Sequence, residues 1–147
     1  MLVQMSFPGA PAIFYGDEVG VTGGPDPYNR GTYPWADKGG DPDTDMLAIF
    51  KQYIAMRNAH AVLRRGSIDA PVLLDDNRIV LVRTLDDAVA VTAFTNATSD
   101  QETTLSLPDL AGKTLTDALD SSTVTVGTDG AVTFTIPALS GRVLIAE

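Results

Sequence analysis

The sequence predicts two unlike parts: a helix–strand–helix piece of a parallel α/β fold over residues 1–65, and an all-β antiparallel sandwich over residues 66–147. Three observations point there. The run Ala12-Ile13-Phe14-Tyr15 is apolar without alternation, the pattern of a parallel strand buried on both faces. The stretch from about Thr44 to Ala59 repeats apolar residues at helical spacing. From Ser67 onward the chain breaks into seven or eight short, Thr-rich segments separated by Asp, Asn and Gly turns.

Each element follows in chain order. Met1 to Phe7 reads as the last turns of a helix, stopped by Pro8-Gly9. The strand Ala12–Tyr15 comes next. A long polar loop, Gly16 to Pro42, then carries Tyr28, Tyr33 and Trp35 among Gly, Pro, Asp and Asn. A loop of that length inside a compact domain is functional or flexible, and the interleaved aromatics argue against plain flexibility. The helix that follows has Asp43 or Thr44 as its cap and Asp45 in its first turn. Met46, Leu47, Phe50, Tyr53 and Ile54 form its apolar face, and it frays near Asn58-Ala59-His60. Arg64-Arg65-Gly66 closes the first part, with the boundary near Gly66.

In the second part, Ser67–Leu74, Arg78–Leu85 and Ala88–Asn96 are strand candidates, split by turns at Asp75-Asp76-Asn77 and Asp86-Asp87. Thr103–Leu107, Lys113–Leu119, Thr123–Val126, Ala131–Ile136 and Arg142–Ala146 follow, with Gly127-Thr128-Asp129-Gly130 as a hairpin turn. Phe94 and Phe134 sit in apolar alternation and read as core. Residues 66–147 bury their own core; residues 1–65 alone leave the faces of one strand and one helix uncovered.

Composition limits the chemistry. Net charge is −9, from 19 acidic and 10 basic side chains. Residues 1–65 carry seven acids and six bases, and residues 66–147 carry twelve and four, so the excess lies in the sandwich. A surface of that sign repels phosphate backbones, which excludes nucleic acid as a partner. No apolar run approaches the roughly 20 residues of a membrane helix, and residues 1–7 lack the basic start of a signal peptide. Cysteine is absent, so there is no disulfide framework and no thiolate nucleophile. A single histidine, His60, excludes a multi-His zinc site and reads as a helix-end capping or packing residue. Asp37, Asp41, Asp43 and Asp45 lack the glycine turn and closing Glu of a calcium loop and read as helix-start acids. No metal and no cofactor is expected.

A parallel sheet cannot consist of one strand. The partners of Ala12–Tyr15 are therefore expected upstream, and the chain reads as the tail of a larger protein. In α/β folds, ligand-binding groups sit on loops at the C-terminal ends of strands, and Gly16–Pro42 occupies that place.

The same residues carry a resemblance. "FPGAPAIFYGDEVGVTGGPDPYNRGTYPW" resembles the segment around the eighth barrel strand of the α-amylase superfamily, glycoside hydrolase family 13. The pattern G-x-P-x-I-[FY]-Y-G-x-E-x-G is matched by Gly9, Pro11, Ile13, Phe14, Tyr15, Gly16, Glu18 and Gly20. "GGPDPYNR" followed by "YPW" is similar to the neopullulanase, cyclomaltodextrinase and maltogenic amylase branch and to related amylopullulanases. "RNAHAVLRRG" resembles that family's R-x-x-H-P-x-L-R-x-G, with Ala61 where proline is usual. "PALSGRVLIAE" is similar to the last strand of its C-terminal β domain. The resemblance covers the whole chain; it is strong over residues 7–66 and mostly topological beyond.

It implies that residues 1–65 are the end of the seventh helix, the eighth strand, the substrate loop and the eighth helix of a TIM-type (β/α)8 barrel, and that residues 66–147 are a stabilising C-terminal β-sandwich. It implies retaining cleavage of α-glucosidic bonds in starch, pullulan, maltooligosaccharides or cyclodextrins. The family's catalytic carboxylates lie on strands four, five and seven, so none is expected here and the chain alone is expected to be inactive. Asp17 and Glu18 are not a substitute pair: adjacent strand residues point to opposite faces, and these positions are structural in the family's pattern. Asp26 and Arg30 match loop residues that bind a glucose unit, with Tyr28 between them. A carboxylate accepting from vicinal hydroxyls and a guanidinium donating in a rigid fork suit that role; the two could equally pair with each other. Tyr33 and Trp35 are expected to pack the loop onto the barrel, and Arg64 and Arg65 to meet helix-end carbonyls or the domain interface. The partners implied are an α-glucan and the upstream barrel. Two other readings stand beside this one: a freestanding carbohydrate-binding module, against which the sandwich shows few exposed aromatics, and a truncated product without a function of its own.

Overall fold

The computed structural model describes residues 1–146. Its element order is α1 (Leu2–Ser6), α2 (Thr44–Ala59), α3 (Ala61–Arg65), then β1 (Leu73–Leu74), β2 (Arg78–Leu85), β3 (Ala88–Thr95), β4 (Gln101–Ser106), β5 (Thr114–Asp117), β6 (Thr123–Thr125), β7 (Ala131–Ile136) and β8 (Gly141–Ala146). Every strand pair is antiparallel, in a six-stranded sheet of order β1-β2-β3-β8-β5-β6 and a two-stranded sheet β4-β7.

Alternation within the strands dictates the layers. Leu144 and Ala146 of β8 face one way, and Val143 and Ile145 the other. On the first face Val80, Val91, Leu115 and Leu144 meet Leu105, Val132, Phe134 and Ile136 of the β4-β7 pair, which makes the sandwich core. On the second face Ala90, Phe94, Val143 and Ile145 meet Leu2, Met5, Met56, Val62 and Leu63. The helices therefore form a third layer on the large sheet. Residues 1–65 are less bare than the sequence suggests: α1, α3 and the last turn of α2 are docked, while the rest of α2 is half-buried or exposed.

The hydrogen bonds at the ends explain where α2 runs. The Asp43 carboxylate accepts from the Met46 amide at 2.8 Å, and its own amide donates to the Val19 carbonyl. At the other end His60 closes α2 and opens α3. The join to the sandwich is tight: Gly66 N–H donates to the Val62 carbonyl, and a Cβ on Gly66 would stand 2.4 Å from that oxygen. Ser67 N–H then donates to the Thr84 carbonyl.

Two expected strands differ. Ser67–Leu74 shrinks to Leu73–Leu74, because the chain must first leave the helix layer, and Pro71 cannot donate to a ladder. Ala12–Tyr15 forms no strand. Among the described residues none pairs with it, and Ile13, Phe14 and Tyr15 are exposed. A strand is defined by its neighbour, and apolar pattern alone cannot supply one. The segment is nonetheless held rather than loose: Gln4 Nε2 donates to the Ala12 carbonyl at 2.6 Å.

Candidate functional site

The loop between α1 and α2 is built from short turns. Gly16 lies at φ 95°, a conformation that glycine adopts without a Cβ clash, and the chain turns there. Glu18 Oε2 accepts from the Gly16 amide at 2.8 Å, and the Val21 amide donates to the Gly16 carbonyl. Glu18 is thus engaged in the turn itself, while Asp17 is exposed beside it. Further on, the Tyr28 amide donates to the Pro25 carbonyl, Arg30 N–H to the Pro27 carbonyl, and Gly24 N–H to the Tyr28 carbonyl. The Asp26-Pro27 peptide bond within this double turn is cis.

That backbone brings Asp26 and Arg30 together. Arg30 Nη2 donates to Asp26 Oδ1 at 2.9 Å, with side chains 74% and 67% exposed. The ring between them, Tyr28, is 76% exposed. An ion pair so open to water contributes little to stability, about 0–1 kcal/mol, so the fold does not need it in this form. It leaves a carboxylate and a fork of N–H donors facing solvent on the same turn as an exposed tyrosine ring. This set can accept from and donate to neighbouring hydroxyls while the ring stacks on a C–H face.

The aromatics cluster by sequence. Phe14, Tyr15, Tyr28 and Trp35 are all exposed, whereas Phe94 and Phe134, the aromatics after residue 66, are buried. Phe14 and Tyr15 lie with ring centroids 4.9 Å apart, and Tyr33 and Trp35 at 4.5 Å. Tyr33 is half-buried under Trp35, which remains 60% exposed. Tyr15 Oη donates to the Gly31 carbonyl at 3.1 Å, which ties the apolar segment to the residue after Arg30.

Two guanidiniums are buried where the helix layer meets the sheet; the sequence held Arg57 only as the first residue of the matched R-x-x-H motif, and Arg83 had no assigned place. Arg57 Nη1 donates to the carbonyls of Met5, Phe7 and Leu63, and its Nη2 to that of Gly9. Arg83, fully buried on β2, donates through Nε to Ser67, through Nη1 to Ser6 and Leu63, and through Nη2 to Gly66. Burial lowers the pKa of both, with the neighbouring charge of Arg64 adding for Arg57 and that of Arg57 for Arg83. The signal was present: Arg57 continues the stripe Met46, Phe50, Tyr53, and Arg83 falls on the same strand face as Ile79, Leu81 and Leu85. Arg64 Nη1 donates to the Arg57 and Asn58 carbonyls, the helix-end role expected of it. Among the described residues no group of three His, Cys, Asp or Glu could hold a metal ion, and no helix is long and apolar enough to cross a membrane.

No family model matches the chain. An amylopullulanase from Thermoanaerobacter thermohydrosulfuricus is 34% identical over 99% of this chain and 10% of its own length. Neopullulanase 2 from Thermoactinomyces vulgaris is 30% identical over 98% of this chain and 24% of its own. The chain thus spans a quarter or less of these relatives. Among solved structures, an α-amylase from Geobacillus thermoleovorans, complexed with acarbose, superposes with a TM-score of 0.86 at 26% identity, over 99% of this chain and 32% of that one.

Proposed function

We propose that this chain, whose homologues are amylopullulanases and a neopullulanase over nearly all of its length and a cyclomaltodextrinase and a maltogenic amylase over 80% and 66% of it, is the C-terminal portion of an α-glucan-acting glycoside hydrolase of the α-amylase superfamily. In this reading residues 1–65 complete the (β/α)8 barrel, and residues 66–147 form the β domain that covers and stabilises it. The nucleophile and the acid/base are supplied by barrel strands upstream, so the chain alone does not cleave glucan. Its own contribution is binding: Asp26 accepts from vicinal sugar hydroxyls, Arg30 donates to them, and Tyr28 stacks beside them.

The observation that carries the reading is the solvent-facing Asp26–Arg30 pair on a loop tied through Tyr15 and Gly31 to an exposed, apolar, unladdered segment. That segment leaves main-chain groups for a neighbouring strand: apart from the Asp17 amide on the Phe14 carbonyl, residues 12–15 make no backbone–backbone hydrogen bond among the described residues. The small share of each relative that the chain spans also supports it. A binding module built on the sandwich has no exposed aromatic to stack a sugar after residue 66. The test is calorimetric titration of maltotriose into the 147-residue chain, alone and joined to an upstream barrel. Binding and turnover only when joined is the expected result; tight binding by the chain alone would favour the module instead.

A further inference from the structure

We infer that Arg57 is a positioning residue for the loop that carries Asp26, Tyr28 and Arg30; the consequence for sugar binding rests on the function proposed above, whereas the consequence for the loop does not.

The geometry begins at Gly9. Its carbonyl accepts from Arg57 Nη2 at 2.6 Å, and its φ of 97° turns the chain away from α1. From there the chain runs, held at Ala12 by Gln4, to Tyr15, whose hydroxyl donates to the Gly31 carbonyl. Gly31 follows Arg30 directly. The far side of the turn is fixed to the other end of α2 through Asp43 N–H and the Val19 carbonyl. One helix thus grips both ends of the segment Gly9–Val19: its N-terminus takes Val19, and Arg57 near its C-terminus takes Gly9. A 16-residue helix is about 24 Å long, so the two anchor points are widely spaced and a shift at either one tilts what lies between.

Arg57 suits this because its guanidinium is planar and its donors are fixed in direction. Nη1 is occupied by Met5, Phe7 and Leu63, so Nη2 alone serves Gly9. A lysine would place one nitrogen with three donors among four carbonyls and would abandon at least one of them. Arg83 provides the internal control. It shares the Leu63 carbonyl and holds Ser6, yet makes no bond to Gly9.

The test uses the full 147-residue chain and its single tryptophan, Trp35, which sits on this loop and stacks on Tyr33. Acrylamide quenching of Trp35 is compared in the wild type, R57K and R83K, each with its urea midpoint. The expected result is a quenching constant raised about 1.5-fold or more in R57K and unchanged in R83K, although both lose charged hydrogen bonds to buried carbonyls. Gly9→Ala approaches from the acceptor side and serves if R57K does not fold. Nothing lies within 4 Å of its added Cβ, so its only cost is the left-handed φ, and it is expected to raise quenching as R57K does. Trp35 unmoved in R57K and G9A, or moved equally by R83K, overturns the assignment. A separate arm reads sugar: with the upstream barrel joined, R57K is expected to raise KM for maltooligosaccharides about tenfold, the scale of one lost charged hydrogen bond, with kcat little changed. A Trp35 response with KM unmoved retains the positioning role and removes the sugar-binding reading of the loop.

Discussion

Arg57 and Arg83 stand on different layers of the fold and donate to the same oxygen, the Leu63 carbonyl, at 2.7 and 2.5 Å. Between them the two side chains serve the carbonyls of Met5, Ser6, Phe7, Gly9, Leu63, Gly66 and Ser67. No carboxylate takes part in these bonds. Among the described residues main-chain dipoles alone compensate two buried charges, which fixes the helix layer to the sheet at the junction of the two parts of the chain.

Arg83→Met is accordingly expected to destabilise the fold by about 3–5 kcal/mol. It strands the buried carbonyls of Ser6 and Gly66 and the part-buried one of Ser67, while Leu63 keeps Arg57, although it also removes a buried charge. Arg65→Met, on an exposed helix-end residue, is expected to stay within about 0.5 kcal/mol. Urea unfolding at equal protein concentration measures both.

Asp43→Ala removes the acceptor of the Met46 amide at the start of α2. A loss of about 1 kcal/mol is expected, with Asp43→Asn retaining most of the stability. The urea midpoint and the helical signal near 222 nm in circular dichroism, a general marker of helix content, read the two variants. An Ala variant as stable as Asn would remove the cap from the account of α2.

Arg30→Ala separates a sugar-binding role from a plain ion pair. The pair is largely exposed, so stability is expected to change by less than about 1 kcal/mol. In the chain joined to the upstream barrel proposed above, transition-state stabilisation on maltooligosaccharides is expected to fall by about 1–3 kcal/mol, read from kcat/KM. Unchanged kinetics would eliminate the assigned role.

The acid limb of stability has two named contributors. The Asp75 carboxylate is held below its usual range first by the hydrogen bond from the Arg78 side chain and then by the Asn77 amide, and Asp120 by Ser122. A carboxyl whose folded pKa is depressed adds stability above its unfolded pKa of about 4, and that stability is lost as the pH falls through the lower folded value. The Tm of the wild type is therefore expected to drop more steeply below pH 4 than that of Asp75→Asn. Parallel acid limbs in the two proteins would show that Asp75 has no part in the loss.

Hydrogen exchange is expected to divide the first part of the chain. Amides of residues 10–42 exchange fast, while those of α3 and the last turn of α2, packed on the sheet beside Leu2 and Met5, exchange slowly. Uniformly fast exchange up to Gly66 would contradict the docked helix layer.

What was legible in the sequence was what local pattern decides. β2 and β7 fall at the predicted residues, α2 spans Thr44–Ala59, and Asp43 caps it. The same holds for Phe94 and Phe134, core by alternation and buried in fact. What was not legible depends on partners. Ala12–Tyr15 has the composition of a central strand, but no ladder forms without a second strand. Ser67–Leu74 has the residues of a strand, but most of it is spent crossing from one layer to the next. Arg57 was matched as a motif position, but its burial, and Arg83 altogether, went unread because charge is normally a mark of surface, although both occupy apolar positions of their element's period. The loop pairing of Asp26 with Arg30 was open in the sequence, and the turn at Pro25–Tyr28 brings the two side chains into contact.

The junction built on Arg57 and Arg83 reads backbone shape and ignores side-chain identity, since every acceptor it uses is a peptide oxygen. Substitutions at Met5, Ser6, Phe7 or Ser67 can alter what those residues pack against without touching the grip itself. A graft that sets this sandwich against a different helix layer would then succeed or fail on two arginines and the path of seven peptide units, whatever letters those units spell.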